Sequence, residues 1–220
     1  MHCEKKEESG LLRKTVLTLA FVTLAFVLGH AQDNRKNELG LLLGATVTPE
    51  LQTVAPAQGS LQIGSGITLQ MAYARQLRSS RSFSFYFEVP ALAVPLQKIM
   101  ASNGTVPRNY DSFFVTPGVR VKLIPSGRMS PWFSTGGGYA LFDESAGRID
   151  GSHNATRGTS GGAVQFGGGV DLRSPLKVLF PIGFRLELRD LYTSKPTYNL
   201  STGGAFQHNV VFSAGLVVHF

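Results

Sequence analysis

From Asn37 onward the chain alternates apolar and polar residues with a period of two, and its connections run long, short, long, short. Period two is the signature of half-buried strands, because successive strand side chains point to opposite faces. The reading gives eight strands, near 37–47, 61–77, 81–93, 112–124, 131–143, 161–173, 181–192 and 207–220. Connections 48–60, 94–111, 144–160 and 193–206 are long and rich in Pro, Gly, Asn, Ser and Thr. Those at 77–80, 125–130 and 174–180 are short. An even strand number with long loops at one end and tight turns at the other predicts an all-β fold, an eight-stranded antiparallel up-and-down transmembrane β-barrel. A soluble sandwich has no reason to segregate its connections this way.

Composition narrows the alternatives. Hydrophobic residues make up 43% and charged residues 16%, against roughly 25% charged in an ordinary soluble domain. That apolar content excludes a disordered tail. A single Cys excludes an internal disulfide scaffold.

Alternation alone does not say which face is outside; a soluble barrel would bury its apolar face. In the last strand Val210, Phe212, Ala214, Leu216, Val218 and Phe220 share one face, against Asn209, Val211, Ser213, Gly215, Val217 and His219. In the strand before it, Ile182, Phe184, Leu186 and Leu188 oppose Gly183, Arg185, Glu187 and Arg189. The more polar faces are mostly Gly, Ser, Thr and Gln, which suit a crowded barrel interior better than a solvated exterior. Aromatics near strand ends (Tyr73, Phe83, Phe113, Phe133, Tyr139, Phe220) fit interfacial girdles. The apolar faces are therefore expected to meet lipid.

This places Glu38, Glu88, Asp171 and Glu187 inside with Arg120, Lys122, Arg185 and Arg189, four charges of each sign. Buried charges are costly unless paired, and eight strands enclose only enough room for side chains to fill. A paired network plugging the lumen is expected, structural or pore-lining in role. Glu38, Lys122 and Arg189 are the ones expected nearest the wet ends.

At the N-terminus, Arg13 and Lys14 lead into an apolar run from Thr15 to Leu28, followed by Gly29-His30-Ala31-Gln32. This fits a cleavable signal peptide over 1–31, cut between Ala31 and Gln32, with the barrel domain over 32–220. A spanning helix would need about 20 apolar residues. Residues 32–220 hold 17 Lys and Arg and 11 Asp and Glu, a net charge of +6. The cations are scattered, without a stripe or aromatic stacking platform, so no nucleic-acid partner is expected.

With these features together, the chain resembles the outer-membrane β-barrel families of Gram-negative bacteria, the OmpA/OmpX-like small barrels and the porin-family domain. The stretch Gly183-Phe184-Arg185-Leu186-Glu187-Leu188-Arg189-Asp190 looks like the penultimate strand of such proteins. The last strand looks like their assembly signal, carried by Phe212, Leu216, Val218 and Phe220. The resemblance implies localisation in the bacterial outer membrane, with outer-membrane lipid and the barrel-assembly machinery as partners and a monomeric state.

Some barrels that resemble this architecture are lipid A deacylases using His-x-Ser with a Glu. No His here begins such a triplet, and Gly-x-Ser-x-Gly is absent. Gly136-Gly137-Gly138 and Gly167-Gly168-Gly169 lie mid-strand and read as packing or bending sites. No spacing suits zinc; Asp143, Glu144 and Asp150 form at most a weak divalent-cation candidate. Asn103-Gly104-Thr105, Asn154-Ala155-Thr156 and Asn199-Leu200-Ser201 fit a glycosylation triplet that polar loops produce by chance. The expectation is a non-enzymatic barrel without cofactor or metal, whose lumen is plugged and whose loops serve surface interaction or envelope integrity. A narrow porin for small polar solutes and a lipid-modifying enzyme are the alternatives.

Overall fold

The structure is a computed structural model that describes residues 36–53, 59–101, 109–146, 151–153, 157–173, 182–196 and 206–220. The expected signal peptide with Ala31 and Gln32, all three glycosylation triplets and Asp150 lie outside the described residues.

Among the described residues eleven strands form: β1 (Asn37–Val47), β2 (Leu51–Thr53), β3 (Gly59–Ile63), β4 (Gly66–Ser79), β5 (Phe83–Ala101), β6 (Asn109–Val115), β7 (Gly118–Leu123), β8 (Met129–Ala146), β9 (Gly158–Arg173), β10 (Ile182–Ser194) and β11 (Phe206–His219). β6 and β7 are two halves of one barrel strand, both paired to β5 and to β8. β2 and β3 form a small hairpin between β1 and β4, with β3 paired to the far end of β5. The remainder is a closed, antiparallel, eight-stranded barrel. Each strand pairs with its neighbour in sequence, and β1 closes the ring on β11, from Glu38 opposite His219 to Val47 opposite Val210.

The exposure pattern is inverted relative to a soluble protein. Leu41, Leu43, Phe133, Phe184, Leu188 and Phe212 are each more than half exposed, while Arg120, Arg185 and Arg189 are at most 1% exposed. Water would reverse that arrangement. A hydrocarbon surround accounts for it, and closure follows, since an unpaired strand edge cannot be hydrated there.

Three details depart from the sequence reading. β5 runs on to Ala101 and β6 begins at Asn109, so most of the expected loop at 94–111 is strand. A register shift between Val94 and Gln97 spans Pro95, which has no N–H to give a ladder. The strand expected over 112–124 divides around Thr116-Pro117. There the chain passes so close to β8 that a Cβ on Gly136 would lie 2.7 Å from the carbonyl oxygens of both Thr116 and Pro117. Finally, Phe220 is buried, whereas Phe212 and Leu216 are exposed. The strand, and with it the alternation, ends at His219.

Candidate functional site: the barrel lumen

All eight charges expected inside are inside and buried. Their spacing follows from period two: Arg185, Glu187 and Arg189 are alternate residues of β10, and Arg120 and Lys122 are alternate residues of β7. Glu38 enters from β1, Glu88 from β5 and Asp171 from β9. They gather in the half of the barrel nearer the tight turns.

Glu38 is the hub. Its carboxylate accepts from Arg120, from Lys122 Nζ at 2.6 Å and from Arg185 Nη2 at 3.2 Å. His219 Nδ1 lies 3.5 Å away at the turn end. Arg185 also donates Nε and Nη2 to the two oxygens of Asp171, at 2.6 and 2.8 Å, a bidentate fork. Lys122 Nζ reaches Asp171 at 2.6 Å. Arg189 bridges Glu187, through Nε at 2.7 Å, to Glu88. Arg120 Nε, 3.3 Å from Glu88, links the two halves of the network.

The sequence reading named these charges but not what lies between them. Trp132, fully buried on β8, stands at the centre with the guanidinium carbons of Arg120, Arg185 and Arg189 at 5.5, 5.2 and 5.3 Å from its ring. Its indole N–H donates to Asp171 at 3.1 Å. The ring can supply its negative face to cations whose hydrogen-bonding capacity is incompletely used; among the described residues Arg120 Nη1 has no hydrogen-bond partner. Tyr86 does likewise for Arg120, 4.8 Å from its ring. Gln70 on β4 donates to Glu187 at 2.6 Å, and Ser213 on β11 at 3.2 Å. Every barrel strand thus contributes a side chain. The parity of Phe133, exposed next door, would have turned Trp132 inward; no sequence rule would have put three arginines around it.

Gly169 makes the space for that ring. A Cβ there would lie 2.7 and 2.9 Å from Trp132 Cζ2 and Cε2. Gly169→Ala is expected to destabilise the folded protein by about 1–3 kcal/mol through overpacking. Because Trp132 is the only tryptophan, urea unfolding followed by its emission checks the effect directly. An unchanged midpoint would show that the ring is not confined by β9.

The loop-end half of the lumen differs from expectation. The inner faces were expected to be mostly Gly, Ser, Thr and Gln, but Leu92, Val94, Phe114, Phe142 and Leu191 join the inward Val211 there in one apolar cluster. Phe114 and Phe142 meet edge to face, centroids 5.8 Å apart. A thin polar layer separates the two zones: Thr116 donates to Gln165 at 2.6 Å, and Gln165 to Ser134 at 3.2 Å.

Other candidates do not assemble. Asp143 and Glu144 are neighbours on β8, so their side chains leave on opposite faces; Glu144 is buried and meets His153 Nδ1 at 2.8 Å. Among the described residues no group of three metal-ligating side chains converges. One pair was missed. Asp190 and His208, 2.8 Å apart, lie on the outer face near the loop end, where Tyr192 stacks on Phe206. It joins adjacent strands at offset positions, which only the register reveals.

No family model and no curated protein matches the sequence. Similarity appears among solved structures. Neisserial surface protein A aligns with a TM-score of 0.55 at 11% identity, over 84% of this chain and 97% of that one. The outer membrane protein OprG of Pseudomonas aeruginosa aligns at 0.46 and 12%, over 86% and 99%. The attachment invasion locus protein Ail of Yersinia pestis aligns at 0.45 and 11%, over 84% and 99%. At 11% identity the likeness to the first of these is one of fold: this chain is a closed, antiparallel, eight-stranded β-barrel.

Proposed function

We propose that this barrel is a monomeric, non-enzymatic outer-membrane protein with a closed lumen, and that its loop end carries its activity in surface interaction or envelope integrity. The observation that supports closure is the network on Glu38, which ties β1 to β7 and β10 across the lumen. Its charges balance, four against four, so neither anions nor cations are drawn into it. Above it an apolar cluster packs inside the barrel, which supports the same reading. On this reading the partners are outer-membrane lipid around the barrel and, during assembly, the barrel-assembly machinery. That machinery would engage the last strand through Phe212, Leu216, Val218 and Phe220.

Planar-bilayer recording is the test. The folded protein is expected to give no regular conductance steps. Uniform, concentration-dependent steps would replace this reading with that of a narrow pore.

A further inference from the structure

The tight-turn rim of the barrel is charged with one sign. Lys36, Arg75, Arg78, Arg81, Arg128 and Arg173 are all exposed there. The acids at that end, Glu38 and Asp171, are buried in the lumen, and among the described residues the rim has no exposed Asp or Glu. The loop end mixes signs instead, with Lys98 and Arg157 beside Glu50 and Asp143 exposed. A rim that served only solubility would intersperse both.

Apolar side chains lie between these cations. Leu77, Ile124 and Met129 are 64%, 58% and 57% exposed. Ile124 keeps a branched side chain at φ 49° in the β7–β8 turn, a region that such residues rarely enter. Its carbonyl is held by Gly127 N at 2.9 Å and Ser130 Oγ at 2.8 Å. Arg173 donates to the neighbouring Pro125 carbonyl at 3.0 Å. The turn is therefore fixed, and it presents an apolar tip beside guanidinium groups. Long cationic side chains can lie along apolar surface while their heads reach the polar layer.

We propose that this rim is a docking collar for anionic glycerophospholipid, its arginines forking onto the headgroup phosphates while Leu77, Ile124 and Met129 sit at the acyl boundary. Guanidinium matches phosphate geometry, and a negative leaflet surface attracts each cation held near it. The proposal rests on the membrane-spanning reading, and its test separates the two.

The full chain, folded into phosphatidylcholine vesicles, is probed by electron spin resonance with spin-labelled phosphatidylglycerol or phosphatidylcholine. The motionally restricted fraction is expected to favour phosphatidylglycerol roughly three- to fivefold. The preference should vanish at about 1 M salt and fall in the Arg75→Gln/Arg78→Gln/Arg81→Gln variant, which removes three of the six rim cations. It should persist in Lys98→Gln/Arg157→Gln at the loop end. The gel shift between boiled and unboiled samples verifies that each variant is folded, and the salt arm on the parent chain needs no variant. Equal restricted fractions for the two lipids, or a preference that the triple substitution leaves undiminished, would overturn the collar alone. No restricted fraction of either lipid would overturn the membrane reading itself.

Discussion

Glu38→Ala is expected to unfold at a much lower urea concentration than the parent protein, with a loss of about 3–5 kcal/mol. The size follows from the partners left behind. Arg120, Lys122 and Arg185 all donate to this carboxylate, and all three are buried. Removing the anion leaves them facing one another with only Glu88 and Asp171 to share. Glu187→Ala should cost less, because its ionic partner Arg189 retains Glu88 and Gln70 and Ser213 can turn to other acceptors. Urea unfolding in lipid, followed by Trp132 emission, ranks the two variants. Equal and small losses would mean that water reaches the network and screens it.

Leu43→Arg is expected to cost about 2–4 kcal/mol, the penalty for a cation near the bilayer midplane on the outer face of a barrel. Leu43 is 62% exposed near the middle of β1. It faces Leu69 on β4 and Ala214 on β11. Those neighbours offer the new cation no anion. In water the same substitution would replace an exposed leucine by a hydrophilic residue and cost almost nothing. The difference in folding free energy between Leu43→Arg and Leu43→Ala in phospholipid bilayers decides it, and equality would mean that the outer face is wet.

How much of this was legible in the sequence follows from what period two encodes. It encodes the face of each side chain, so the inward set of Arg185, Glu187 and Arg189 could be named beforehand. It does not encode stagger between strands. Which carboxylate meets which guanidinium depends on how far β1, β7 and β10 slide past one another, and Glu38 at one edge of the sequence pattern became the hub for that reason. Glu38, Lys122 and Arg189 were expected nearest the wet ends; all three are buried, at 1%, 4% and 0% exposure. Pro95 reads as a strand stop, yet β5 passes it through an irregularity in its pairing. The apolar upper lumen was hidden for a different reason. Leu92, Phe114 and Leu191 keep the same parity as the charges below them, so an apolar residue on an inward position looks like noise until the strands are aligned.

The seam between β1 and β11 carries a consequence for biogenesis. Glu38 belongs to the first strand of the barrel, while its counterions arrive from the middle and the penultimate strands. A half-rolled sheet entering hydrocarbon would drag unmatched ions with it. The polypeptide must therefore curl and neutralise itself before, or while, it crosses the acyl layer, so that eight ions travel inward as one neutral parcel.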